Sequence, residues 1–172
     1  YNGIPASEVI GSYGVKKLGI EHVKPFFTRG ILLNFEALKG RPMELGEEIT
    51  VEDIEAAMKA QGLAEITEGD VVILHTGWGA KWIKDNATFN SGEPGIGIPA
   101  AEYLVSKGVA VVGSDAWAVE VVPNPDKTQV FPVHQILLPK NGIFIHENVA
   151  TENLVAAGVD EFAYIFNPFA VK

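Results

Sequence analysis

The sequence predicts an α/β domain built on a mixed sheet, and three observations carry that expectation. Short apolar runs of strand length alternate with amphipathic stretches of helix length. The amphipathic stretches carry helix start and stop signals, and an Asn-Gly pair between two apolar runs reads as a hairpin in the C-terminal half.

Residues 30–35 are the first expected strand. Thr50 opens a helix, since Thr50-Val51-Glu52-Asp53 approximates a capping box with acids at the positive end of the dipole. Val51, Ile54, Ala57 and Met58 fall on one face, and Gly62 supplies the stop. Glu68-Gly69-Asp70 is a turn before a buried strand at 71–74, which runs into His75-Thr76-Gly77-Trp78. Residues 85–97, rich in Asn, Ser, Gly and Pro, read as a long loop. Pro99 suits the first position of a helix over 100–107 that Gly108 ends. A strand at 109–112 leads to Gly113-Ser114-Asp115, and a second loop covers 123–129. The hairpin is then expected from strands 133–138 and 143–145 around Lys140-Asn141-Gly142. A short helix at 151–157, closed by Gly158, and a strand at 162–166 complete the chain.

The 172 residues suit one domain, 1–172, with an ordinary globular balance of 47% apolar and 20% charged residues. A net charge of −9 without a basic cluster argues against a nucleic-acid partner. The apolar runs are too short for a membrane span. Zero cysteines exclude a disulfide scaffold, a thiolate nucleophile and a Cys-rich zinc site, and fit a reducing, cytoplasmic setting. The chain starts without Met and stops soon after an apolar strand, so it is expected to be truncated at both ends.

Several constellations invite chemistry. Gly95-x-Gly97-x-x-Ala100 matches a dinucleotide fingerprint only superficially, because no strand directly precedes it. Its glycines are better read as allowing close approach to a ligand or a neighbouring backbone. His146-Glu147 lacks the second zincin histidine, position 150 being Ala. Ser114, His75 and Asp115 lack the Gly-x-Ser-x-Gly elbow, and adjacent residues at a strand end point to opposite sides. His134 and Glu147 are approximate partners across the expected hairpin, with β-carbons roughly 4.5–5.5 Å apart on one sheet face. There they could hold a metal, act as a base and its orienter, or form a plain hydrogen-bonded pair.

The chain resembles the cyclase-type metal-dependent hydrolases, which include bacterial kynurenine formamidases and isatin hydrolases. The resemblance rests on Phe27-Thr28-Arg29-Gly30-Ile31-Leu32-Leu33, on the run from Gly69 through Val71-Val72-Ile73-Leu74 to Trp78, and on Gly108-Val109 and Gly113-Ser114-Asp115. It continues through Glu120-Val121-Val122-Pro123, His134-Gln135-Ile136-Leu137-Leu138, Gly142-Ile143, Glu147-Asn148 and Glu161-Phe162, nearly the whole chain. It implies a swivelling β/β/α fold and a dimer or larger homo-oligomer. It also implies a divalent metal, zinc or manganese, that activates water against a small-molecule carbonyl substrate, an amide or a lactone. The family's later His and later acid match His134 and Glu147 as metal ligands. Trp78, Trp82, Phe89 and Trp117 could line a pocket for a planar substrate or simply pack. Asp115 and Glu120 are either partners behind the ligands or helix caps. The family's early His-x-x-x-His-x-Asp segment is absent, so the chain matches a C-terminal portion expected to be inactive by itself. A non-catalytic relative and a structural module are the alternatives.

Overall fold

The computed structural model describes residues 3–169. In chain order the elements are α1 (Ala6–Val9), β1 (Ile10–Gly11), β2 (Gly14–Val15), β3 (Phe26–Asn34), α2 (Phe35–Lys39), β4 (Glu48–Ile49), α3 (Val51–Gln61) and β5 (Val71–His75). They continue with α4 (Asn86–Phe89), β6 (Gly95–Ile96), α5 (Ile98–Lys107), β7 (Val111–Ser114), α6 (Pro132–Gln135), β8 (Phe144–His146), α7 (Glu152–Ala157) and β9 (Glu161–Phe166).

The central sheet has the order β8-β7-β5-β3-β9, with β9 antiparallel to β3 and the other pairings parallel. The mixed sheet expected from the sequence is therefore present. Alternation along the strands sends side chains to two cores. Ile31, Leu33, Val72, Leu74 and Val112 meet Ile54 and Ala57 of α3 and Ala100, Ala101 and Leu104 of α5. Leu32, Val71, Ile73 and Val111 meet Leu154 and Val155 of α7 and Phe26, Phe162 and Tyr164. Burial on both faces explains why β5 reads as an unbroken apolar run. Each such Leu or Ile contributes about 1.5–3 kcal/mol by leaving water.

Local signals mostly act as the sequence suggests. Thr50 and Asp53 form the full capping box, the Thr50 hydroxyl accepting from the Asp53 N–H and the Asp53 carboxylate from the Thr50 N–H. Arg29 forks onto Asp70 at 2.5 and 2.9 Å and so ties β3 to the turn before β5. Several boundaries differ by one to four residues. The first strand starts earlier, at Phe26, the third parallel strand is shifted two residues to Val111–Ser114, and the 85–97 loop contains α4 and β6.

The hairpin is a correction. Residues 132–140 form α6 followed by a π-helical turn, Ile136–Lys140, and β8 pairs in parallel with β7. Helix wins for two reasons. Pro132 preorganises the first turn, and the Glu120 carboxylate, from thirteen residues upstream, accepts the N–H groups of Val133 and His134 at 3.1 and 3.0 Å. Val133 and Leu137, four apart, are the buried face. Gly142, at φ +68°, ends the helix with N–H bonds from Gly142 to Leu138 and Ile143 to Leu137. Asn-Gly serves a left-handed helix stop as well as a hairpin turn.

Candidate functional site

β3, β5, β7 and β8 are parallel, so their C-terminal ends and following loops lie at one edge of the sheet, where such folds place their chemistry. β7 runs into a loop, residues 115–122, that carries Glu120. β8 runs into Glu147, and α6 presents His134 on its first turn.

These three residues form a chain of contacts. His134 Nδ1 lies 2.5 Å from Glu120 Oε1, and His134 Nε2 lies 3.3 Å from Glu147 Oε1. Glu120 is buried and already accepts two backbone N–H groups, so Nδ1–H donates to it, while Nε2 donates to Glu147 in the protonated ring and carries the lone pair once that proton leaves. The bond to Glu120 raises the His134 pKa above its ordinary value. Burial opposes this, and Glu147 adds to it. The imidazole side chain is 22% exposed and the Glu147 side chain 43%, so the pair opens to solvent.

The pair thus meets through a helix start facing a strand end, not through the paired strands and register inferred from the sequence. Glu120 backs His134 and also caps α6, combining two roles that the sequence left as alternatives. Asp115 does something else. Its carboxylate accepts from Thr76 N and Oγ1 at 3.0 and 2.6 Å, Gly77 N at 2.9 Å and Gly79 N at 3.3 Å, pinning the loop after β5.

The aromatic residues divide. Trp78 and Phe89 are buried together with Ala116, and both the Trp78 and Trp117 indoles donate to the Phe89 carbonyl. Trp82, 46% exposed, packs its ring 5.2 Å from Phe89. Trp117 approaches the pair through Phe131, whose ring stands edge-on to Trp117 at 6.1 Å and to His134 at 5.3 Å. Sequence reasoning missed Phe131, although an aromatic directly before Pro132 at a helix start was a readable signal. A groove of about 210 Å³ beside them is lined by Glu120, Val122, Lys127, Val130 and Phe131.

Two further buried polar groups lie at this sheet edge. His75 spans Thr151 Oγ1 at 2.7 Å and Glu36 Oε2 at 2.9 Å, which fastens the starts of α2 and α7 to β5. Glu93, fully buried, accepts the N–H groups of Trp117 and Ala118 at 2.6 and 2.8 Å. Burial raises its pKa to about 8 against the pull of those two N–H donors, with Glu147 and Asp115 adding repulsion. Nothing in its Gly/Pro-rich surroundings marked it in the sequence.

The glycines of the false dinucleotide fingerprint admit neighbouring chain. A Cβ on Gly95 would lie 2.3 Å from the Val119 carbonyl oxygen, and one on Gly97 would meet the Glu48 carboxylate. Gly95→Ala is therefore expected to cost about 1–3 kcal/mol through backbone overpacking, read as a lower midpoint in urea denaturation. An unchanged midpoint would show that the 115–122 loop yields freely.

A catalytic zinc site typically has three protein ligands and one open position. Among the described residues no group of three or more His, Asp or Glu side chains is arranged to hold a metal ion. His134 and Glu147 supply two donors, and Glu120 is committed to Nδ1. The residues present do not complete a metal centre.

The mixed α/β sheet is the fold shared with cyclase-family structures. The sequence profile of the family described as "Putative cyclase" matches residues 10–121, and the chain belongs to that family. A crystal structure described as a novel cyclase is 31% identical, with a TM-score of 0.80 over 94% of this chain and 55% of that one. An isatin hydrolase bound to the product analogue thioisatinate is 22% identical, with a TM-score of 0.68 over 85% and 55%. A protein from Bacillus stearothermophilus described as a predicted metal-dependent hydrolase is 22% identical, with a TM-score of 0.52 over 87% and 60%. The chain thus spans little more than half the length of these relatives. Comparison with curated proteins finds no match.

Proposed function

We propose that this chain forms part of a metal-dependent hydrolase that opens an amide, formamide or cyclic, or a lactone, with His134 and Glu147 as two of the donors to a divalent zinc or manganese ion. The observation that carries this reading is the orientation of His134. Its Nδ1 is committed to buried Glu120, and its Nε2 faces a solvent-accessible carboxylate 3.3 Å away. A histidine locked through one nitrogen by a carboxylate is the usual arrangement behind a metal. The remaining donors lie outside the described residues in this reading, and the greater length of the relatives gives room for them. When bound, such an ion supplies a water acidic enough to attack a carbonyl near neutral pH. This chain's share is to hold His134 in one tautomer and to place Trp117 and Phe131 beside it as walls for a flat carbonyl compound.

The test compares the product of the complete reading frame with the 172-residue chain. Both are assayed on N-formylkynurenine, isatin and a small lactone panel, with zinc and with manganese. The complete product is expected to hydrolyse at least one of these, whereas the 172-residue chain binds metal weakly and turns over none. Full activity from the short chain, or no turnover by the complete product with either metal, would overturn the reading. The incomplete donor set among the described residues favours a second reading, a non-catalytic relative that binds a carbonyl compound. Binding without turnover by the complete product would select it.

A further inference from the structure

We infer that Glu93 is the positioning residue that sets the spacing of His134 and Glu147, by clamping the one loop from which both are hung. The inference rests on reading that pair as metal donors, but its geometry stands apart from the metal.

The loop is residues 115–122, and Glu93 grips it twice. Its two carboxyl oxygens take the consecutive N–H groups of Trp117 and Ala118, at 2.6 and 2.8 Å. Its backbone pairs with Val122 in both directions, at 2.8 and 3.0 Å. Two residues on, Gly95 lies flat against Val119, and Ile96 exchanges bonds with Val119 and Val121 at 3.1 and 3.2 Å. Between these grips Val119 sits at φ +64°, a conformation that a β-branched residue keeps only where its surroundings over-determine it.

From this loop the two donors diverge. Towards the C-terminal end, Glu120 takes the His134 backbone and ring, fixing the imidazole. Towards the other end, the carbonyls of Ser114 and Ala116 accept the N–H groups of Val149 and Asn148 at 2.9 and 2.8 Å, which fixes the chain immediately after Glu147. A shift of the loop moves both partners, and no hydrogen bond links Glu93 directly to either.

The chemistry of the clamp explains why an ionisable group stands in a fully buried place. Two adjacent N–H groups need two acceptors on one side chain, and a carboxyl group keeps an acceptor lone pair on each oxygen whether or not it holds its proton. An amide supplies one acceptor and would turn its NH2 towards the other N–H. An apolar residue leaves both donors unpaired.

The test uses the 172-residue chain and three variants: Glu93→Gln, Glu93→Ala and, as a control, Asp70→Asn, which weakens the Arg29 fork between β3 and the turn before β5. Zinc binding is measured by calorimetric titration with the metal alone, the His134 ring by NMR, and folding by thermal melts. Glu93→Gln is expected to weaken zinc binding about 10-fold, within the range for groups that orient metal ligands, and to shift the His134 ring resonances. Asp70→Asn should lower Tm while moving neither. A Glu93→Gln protein that melts earlier but keeps wild-type zinc affinity and His134 resonances would reduce Glu93 to a structural residue and overturn the inference. If the wild-type chain, with only two of the donors, holds no zinc, the His134 resonances alone decide the role of Glu93, and the metal reading is decided by the complete product. If the Glu93 variants do not fold, hydrogen exchange at the Trp117 and Ala118 amides of the wild type decides. Zinc should slow it several-fold, since the coupling runs both ways, and no slowing overturns the inference.

Discussion

His134→Ala in the complete protein is expected to lower kcat/KM by about 100-fold or more and to reduce the bound metal in parallel. Residues that merely orient ligands already cost 10–100-fold when removed, and a donor itself should cost at least as much. Glu147→Gln separates charge from shape, because the amide keeps the size of the side chain but gives up its negative charge. A large loss there would mean that the centre needs the carboxylate charge rather than its bulk. Glu120→Gln is expected to fall between the two. Its amide can still cap α6 through one oxygen, but it no longer compels the Nδ1–H form that reserves Nε2 as the nitrogen free to bind a metal. Metal content by mass spectrometry alongside steady-state kinetics reads all three. An active, metal-replete His134→Ala enzyme would return the pair to a partly exposed hydrogen bond, worth about 1 kcal/mol or less.

The pattern of these residues shows which parts of the molecule were legible in the sequence. The βαβ core was readable because its signals are local: an apolar run at 71–74, a capping box at Thr50 and a glycine stop at each of residues 62, 108 and 158. The segment 133–138 was misread because its decisive partner is remote. The carboxylate that caps it belongs to Glu120, and no property of the segment itself reveals that. The Asn141-Gly142 pair is compatible with both outcomes, so the strand reading lost only in three dimensions. The proximity of His134 to Glu147 was expected from a pairing that does not exist, and it arises from the first turn of α6 facing the residue that follows β8. Glu93 lacked a pattern to flag it, and Phe131 offered only its place directly before Pro132. A buried acid whose partners are two backbone N–H groups leaves no trace in side-chain spacing, and Phe131 gains its place from a left-handed φ of +50° before a proline.

Stability is expected to fall as pH rises from 5 to 8, by about 2–5 kcal/mol, the reverse of the trend set by exposed, salt-bridged acids. The direction follows from which state holds the proton. Glu93, with its pKa lifted to about 8 by burial, keeps its proton in the folded chain across that interval, whereas an unfolded Glu releases it near 4.5. The folded state therefore binds more protons, and raising the pH favours unfolding. His134 works in the same sense. Its bond to Glu120 raises its pKa above 6.5, so the stability it adds is fully present below 6.5 and is lost as pH climbs through the raised value. His146, lowered by burial, opposes them near and below 6.5. Asp53 and Asp70 take over in stronger acid. Burial pushes both up, but Lys39 and Thr50 for the first, and Arg29 and Thr67 for the second, hold them below the ordinary carboxylate range. Their contribution disappears as pH drops towards those depressed values. Urea denaturation of the 172-residue chain at pH 5, 6.5 and 8 should show midpoints falling in that order, and Glu93→Gln should flatten most of the slope. A wild-type midpoint that is level or rises between pH 5 and 8 would mean that Glu93 ionises in place, with the Trp117 and Ala118 N–H groups sufficient to hold its charge.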